Sequence, residues 1–473
     1  MNTKCKLFQL CLLVLLALPA VVQAQFIYTN SDGFIYTNSN SSVTIIGYIG
    51  SGGVVSIPAT INSLPVTSIG TYAFSYNTNI TSITIANNVT NIGDYAFYSC
   101  YSLPNIIIGS SVITIGNYAF NNCGEYSLFI SGQPLSLTIG NGVTSIGTNA
   151  FANCYSLKSV IIPNSVTFIG DSAFDGCQNL YSLTIGNGIK NIGNSVFEGC
   201  ALYGGITIPY GVTNIGDSAF QGDGYPNVGG ILTIPNSVIT IGGSAFEYNA
   251  ITGNLNIPNS VTSIGAYAFG LNEGSFSLTL GNGITNIGGD AFSDGNLNSV
   301  TFVNGLTDIG ANWFSEAFNI ISITIPASVT NIEGGAFHDS SILTNLYIEG
   351  NPPSYVPFNF SNHSFYPSLS TTVYYLPGTT GWSSQYADFP TILWNAQINP
   401  TNANLGIHTI GGNNCFGFNI TGNAGLVIVL EASTNLVNWF PVQTNTLTGG
   451  SVFFYDSQST NLNSGRMYRY RSP

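Results

Sequence analysis

One hexapeptide decides the fold class of this chain. Ile-Gly-x-x-Ala-Phe begins at Ile69, Ile92, Ile115, Ile146, Ile169, Ile192, Ile215, Ile241, Ile264, Ile287, Ile309 and Ile332. Eight of the eleven steps are 23 residues; the others are 31, 26 and 22. Self-similarity at a fixed period of this length marks a repeat architecture. Departures are few: Val196 and Trp313 replace the Ala, and Glu333 replaces the Gly. The Phe column, from Phe74 and Phe97 to Phe314 and Phe337, is unbroken. A large apolar side chain recurring once per rung predicts a stacked core.

Between anchors the chain alternates. Ser82-Ile83-Thr84-Ile85 reads polar, apolar, polar, apolar, and Ser136–Ile139, Ser182–Ile185, Ser277–Leu280 and Ser322–Ile325 keep the register. Period-two alternation is a half-buried strand. Pro or Gly usually follows, as at Pro163, Pro209, Pro235, Gly140 and Gly186, and ends it. One short strand and two turns per rung cannot bury an apolar face alone, whereas stacked copies can. The expected fold is a repeat solenoid, mostly β, of twelve rungs. At the ~4.8 Å strand spacing it extends on the order of 55 Å.

Leu103-x-x-Ile106-x-Ile108, Leu157-x-x-Val160-x-Ile162 and Leu180-x-x-Leu183-x-Ile185 resemble the leucine-rich-repeat strand signature. Together with the 23-residue period and the Asn-Ser-Val-Thr-x-Ile-Gly phrasing, they make the chain similar to the BspA-type leucine-rich repeat family over roughly residues 43–395. The resemblance implies a curved stack with strands on its concave side. It also implies a secreted or surface-exposed protein with a binding or adhesion role. Tyr203, Gly229, Thr252 and Ser275 depart from the strict first-position Leu.

The chain divides in sequence into five parts. Residues 1–24 read as a secretory signal peptide: Lys4 and Lys6 precede an apolar run from Leu7 to Val22, and Val22-Gln23-Ala24 is a small-residue cleavage site. The run is shorter than the ~20 residues of a membrane span, and no transmembrane span is expected after its removal. Residues 25–66 form an N-terminal cap, opened by the duplicated pentapeptides Phe26–Asn30 and Phe34–Asn38 around Ser31-Asp32-Gly33, a hairpin pattern. Residues 67–350 carry the repeats. Residues 351–396, aromatic and Pro-rich, are expected to cap the solenoid's C-terminal end. Residues 397–473 read as a small antiparallel, β-sandwich-like module, with strands at 416–420, 426–432, 451–455 and 467–471. Arg466, Arg469 and Arg471 make this end locally basic and read as a solvated strand.

Composition narrows the function. Charged residues are 6% of the chain, against ~25% in ordinary domains. With 7 Lys+Arg against 20 Asp+Glu and a net charge of −13, no basic face exists for nucleic acid. The eight cysteines include five at one repeat position, Cys100, Cys123, Cys154, Cys177 and Cys200. They read as a ladder of buried thiols, the alternative being disulfides between rungs. No close Cys pairs suggest a structural metal. The histidines His338, His363 and His408 sit in no catalytic or metal motif. Asp94, Asp171 and Asp217, each following the anchor Gly, read as caps on a helical turn. No cofactor, metal or enzymatic activity is expected. The acids of the C-terminal module, Glu431 and Asp456, are the nearest to an exception. Leu376-Pro377-Gly378-Thr379-Thr380 departs from a cell-wall sorting motif at its fifth residue.

The remaining candidate is a surface. The outward strand position is usually Thr: Thr84, Thr138, Thr184, Thr207, Thr233, Thr279, Thr301 and Thr324, interrupted by Ile107, Ile161 and Asn256. A Ser column lies two residues earlier. Thr also simply suits exposed strands. As a functional surface, this hydroxyl carpet would bind a protein or polysaccharide on a cell or matrix surface. The expectation is therefore a non-catalytic, secreted or cell-surface binding protein of adhesion type. The alternative is a structural surface-layer or scaffold protein associating with its own cell envelope.

Overall fold

A computed structural model describes residues 26–39, 41–124, 135–202, 204–222, 229–302, 305–355, 371–394, 397–398, 406–410, 413–434, 438–456 and 466–471. The expected signal peptide and His363 lie outside them. The chain is a β-solenoid of about 13 turns, followed by a C-terminal antiparallel β region.

Each rung carries two strands rather than the expected one. The alternating segments form a first parallel ladder, for example Asn105–Ile107 between Ile80–Thr84 and Ser136–Thr138. The anchor itself forms a second, of two-residue strands such as Asn91–Ile92, Thr114–Ile115 and Ser145–Ile146. Its register is held by the anchor Gly, whose N–H donates to the Ile carbonyl one rung back, as Gly116 does to Ile92 at 2.8 Å. A side chain does not fit there: a Cβ on Gly116 would lie 2.6 Å from Asp94 N of the preceding rung. Close approach of backbones is why this column is glycine.

The Ala-Phe segment is not a helical turn. Residues two and six after the anchor Gly are left-handed, as Tyr95 (φ 55°) and Ser99 (φ 58°), Tyr72 (φ 59°) and Tyr76 (φ 57°). The N–H groups of Tyr72, Phe74 and Tyr76 donate to Asp94, Ala96 and Tyr98 of the next rung, at 2.7–3.1 Å. A left-handed non-Gly residue is costly, and here the neighbouring rung supplies the hydrogen bonds that hold it. The aspartates correct the capping expectation in the same way. Asp94 Oδ1 accepts from Asn117 N, Asp171 Oδ1 from Asn194 N and Asp217 Oδ1 from Gly243 N. Each caps the next rung instead of its own.

The core is the predicted stack. All twelve phenylalanine rings are buried and lie face to face, with centroids 4.8 Å apart at Phe74–Phe97 and 5.7 Å at Phe292–Phe314. The cysteine column lies beside it. The five ladder cysteines form no disulfide and are buried. Each ladder thiol donates to the Phe carbonyl of the preceding rung: Cys100 to Phe74 at 3.1 Å, Cys123 to Phe97 at 3.2 Å, Cys154 to Phe120 at 3.3 Å. Later rungs place other donors there, Asn272 on Phe246 at 3.0 Å and Ser340 on Phe314 at 2.9 Å. Burial pushes the Cys123, Cys154 and Cys177 thiols well above their ordinary range, which keeps them unreactive. Cys154→Ala should lose the hydrogen bond, about 1 kcal/mol, and leave a small cavity. Cys154→Ser keeps a donor, as Ser340 does, and should lose less. Urea melts of the two variants compare them directly.

At the N-terminal end, strand Ile27–Thr29 pairs antiparallel with Phe34–Asn38, the hairpin read from the duplicated pentapeptide. Phe34–Asn38 then pairs with Val43–Tyr48, which starts the second ladder through Leu64–Ile69. At the other end the first ladder outlasts the last anchor. Asn345–Ile348 pairs parallel with Thr372–Tyr375, and this with Phe389–Leu393. The Leu376–Thr380 sequence is the turn after Thr372–Tyr375, where Thr379 Oγ1 donates to Leu376 O at 2.7 Å.

The C-terminal region has two antiparallel sheets. One holds Gln397–Ile398, Gly406–Ile410, Asn413–Thr421 and Ser451–Asp456; the other holds Val427–Ser433, Phe440–Thr446 and Met467–Arg471. Strands 397–398, 406–410 and 440–446 were not expected. The region packs on the solenoid. Tyr347 and Tyr374, which continue the outward Thr column, stack at 4.9 Å and are buried with Trp394, Phe418, Ile428 and Phe454. The Tyr347 hydroxyl accepts from Val427 N at 3.2 Å. The arginines lie at the expected strand and Arg469 stays exposed, but each is also paired with an acid. Arg469 and Arg471 each place Nε 2.7 Å from buried Glu431, and Arg466 lies 3.0 Å from Asp456, which has no exposure.

Candidate functional site

The outward face of the first ladder is built by alternation. Ile83, Ile106, Val160, Leu232, Leu255, Leu278 and Ile323 point into the core, and the residue after each points out. Thr138, Thr184, Thr207, Thr233 and Thr301 are exposed; Thr84, Thr279 and Thr324 are half-buried. Register brings two Thr pairs together directly, Thr207 with Thr233 and Thr279 with Thr301. Elsewhere the neighbours are those read as interruptions: Ile107 lies between Thr84 and Thr138, Ile161 beside Thr184, Asn256 beside Thr279. Thr324 pairs with Tyr347, where the C-terminal region covers the column. The free face therefore runs from Thr84 to about Thr324.

The Ser column is aligned as well, Ser159 with Ser182 and Ser277 with Ser299. Ser82 accepts from Asn105 Nδ2 at 3.2 Å. None of the strands on this face, from Ile80–Thr84 to Ser322–Ile325, contains a charged residue. Ile161, 68% exposed, Ile231, 63% exposed at the Ser position of its rung, and Ile107, 38% exposed, are apolar points on it. The face can therefore donate and accept hydrogen bonds but offers no ion pair.

The acids of the C-terminal region are committed elsewhere. Burial alone would raise the Glu431 carboxyl, but the Arg471 and Arg469 hydrogen bonds outweigh it and hold the group below its ordinary range. Asp456 also accepts from the Tyr468 hydroxyl at 3.1 Å. No group of three or more His, Cys, Asp or Glu side chains that could share a metal occurs among the described residues. No described helix is long and apolar enough to cross a membrane.

Reading the sequence by columns missed one place. Trp313 and Glu333, noted there only as departures, meet Asp308 in a cleft of the second ladder. The signal was present: two departures in consecutive rungs, beside the one 22-residue step.

A family profile described as the BspA type leucine rich repeat region, six copies long, matches residues 53–131, 124–252, 230–344 and 263–371. The chain belongs to the BspA-type leucine-rich repeat family. Among solved structures, a leucine-rich repeat protein from Bacteroides ovatus is 26% identical, over 76% of this chain and 98% of that one, with a TM-score of 0.56. A leucine rich cell surface protein from Faecalibacterium prausnitzii is 27% identical, over 68% and 89%, with a TM-score of 0.43. A comparison with curated proteins returns no match.

Proposed function

We propose that this BspA-type chain is a non-catalytic secreted or cell-surface protein that binds a protein or polysaccharide through its outward strand face. The observation that carries the reading is the register-aligned, charge-free Ser/Thr surface from Thr84 to Thr324. A broad neutral surface dense in hydroxyls suits a partner recognised by many weak hydrogen bonds and shape, not by charge. Export through residues 1–24 and display of the repeats by the flanking parts, 25–66, 351–396 and 397–473, belong to the same proposal.

The test is binding of the purified chain to matrix proteins, polysaccharides and cell envelope, beside the variant Thr184→Lys/Thr207→Lys/Thr233→Lys. All three sites are exposed, so the fold should survive. Binding should fall at least tenfold in the variant. Equal binding by both proteins would remove the face from the account.

One observation favours the scaffold alternative. Strand Ile27–Thr29 ends its sheet among the described residues, with Phe26 72% and Ile27 66% exposed. Unpaired strand edges of this kind pair with other chains. Sedimentation at high concentration decides it: concentration-dependent assembly supports the scaffold, and a strict monomer opposes it.

A further inference from the structure

The second ladder breaks between Asn286–Ile287 and Asp308–Ile309, which belong to different sheets. Gly288 donates to Ile264 and Glu333 to Ile309, both at 2.8 Å, but no such bond joins Gly310 to Ile287 among the described residues. The ladder also breaks between Phe168–Ile169 and Asn191–Ile192, where the step keeps its 23 residues. At the second break three departures meet: the 22-residue step, Trp313 in the Ala column and Glu333 in the Gly column. The phenylalanine spacing is widest here, 5.7 Å. A Cβ on Gly288 would lie 2.3 Å from Ala266 N of the rung before, whereas on Gly310 the nearest atoms are those of its own rung's Trp313. At the second ladder the rungs have parted, while Phe292 N still donates to Trp313 O at 3.1 Å and Asp294 N to Ser315 O at 2.9 Å.

The opening is a cleft of about 440 Å³, within the ~300–1,000 Å³ range of small-molecule sites. Trp313, 5% exposed, lines it with Ile284 and Leu306, and the exposed carboxylates of Asp308 and Glu333 stand beside Thr285. Asp308 Oδ2 accepts from the Thr307 hydroxyl at 2.6 Å, and Glu333 Oε2 from Ala311 N at 3.2 Å. Each carboxylate retains acceptor capacity, because an ionised carboxylate has about four lone-pair sites. The Trp313 indole N–H, a donor only, has no hydrogen-bond partner among the described residues. A ligand in this cleft has two carboxylates to donate to, an indole N–H to accept from and the apolar side chains of Ile284 and Leu306 to lie against. An anion is repelled by Asp308 and Glu333. A simple alkylammonium offers nothing to the indole. A sugar ring meets every requirement, since its hydroxyls donate and accept and its C–H face is apolar.

We infer that this cleft binds a neutral saccharide unit, at a site separate from the Thr column. The test is a printed array of microbial and host glycans, probed with the full chain, then calorimetric titration of the free oligosaccharide from the strongest spot. The variant Asp308→Asn/Trp313→Ala/Glu333→Gly places in each column the residue that other rungs carry there, as Asn286, Ala291 and Gly288. It should fold and bind at least tenfold more weakly. Thr184→Lys/Thr207→Lys/Thr233→Lys should bind the same oligosaccharide unchanged. If the triple reversion melts early, carbodiimide labelling of the unaltered chain keeps the question answerable: the oligosaccharide should protect Asp308 and Glu333, read by mass spectrometry. An array without signal, undiminished affinity in a folded reversion, or no protection of the two carboxylates overturns the inference. Loss in the Thr variant alone assigns the saccharide to the strand face, which also overturns it.

Discussion

Phe197→Ala is expected to destabilise the repeat stack by about 3–5 kcal/mol, the usual cost of deleting a fully buried aromatic ring. Phe197 is 1% exposed and lies between Phe174 at 5.5 Å and Phe220 at 5.3 Å. The stacking contribution lost with each neighbour is on the order of 0.5–1.5 kcal/mol and is part of that total. In a solenoid each rung touches only its neighbours, so the damage should be local. Hydrogen exchange should lose protection at residues 174–220 first, with rungs near Phe97 keeping theirs. Phe197→Leu should cost much less, because volume and apolarity are largely kept. Uniform loss of protection along the whole chain would contradict the one-dimensional account.

The second large effect is expected in the C-terminal region. Arg466→Ala removes the guanidinium 3.0 Å from Asp456, whose side chain is fully buried. Breaking a buried pair from one side leaves an uncompensated charge and typically costs about 3–5 kcal/mol. The Tyr468 hydroxyl stays on Asp456 and supplies only part of what is lost. The double variant Arg466→Met/Asp456→Asn carries no charge and should recover most of the stability. Thermal melts followed through tryptophan fluorescence separate the three proteins. A single variant as stable as its parent would mean that solvent reaches Asp456.

Periodicity made the stack legible, and its limits explain what was not. A residue recurring at every 23rd position announces a column, so the phenylalanine core, the thiol column and the Thr face were readable. The second ladder was not, because strands as short as Asn91–Ile92 are too brief to show alternation. The left-handed turn residues were hidden as well. Tyr95 and Ser99 adopt φ values for which glycine is the usual signal, and the bonds that permit them come from another rung. The ion pairs of Glu431 with Arg469 and Arg471 join residues 38 and 40 apart, without any repeat to expose the pairing. The docking of the C-terminal region did leave a trace: Tyr347 and Tyr374 stand where earlier rungs carry Thr. An aromatic side chain in a hydroxyl column marks where that column stops facing water.

The inter-rung hydrogen bonds also decide how the molecule responds to force. They run between neighbours, Gly116 to Ile92, Phe74 to Ala96, Asn117 to Asp94, and so lie along the direction in which the rungs are stacked. Tension applied between the two ends would not shear the ladders as a block. It would detach one rung at a time, most of them releasing 23 residues, or about 75–80 Å of extended chain. Displayed and bound as proposed above, such a molecule would lengthen stepwise under load and limit the tension reaching its partner.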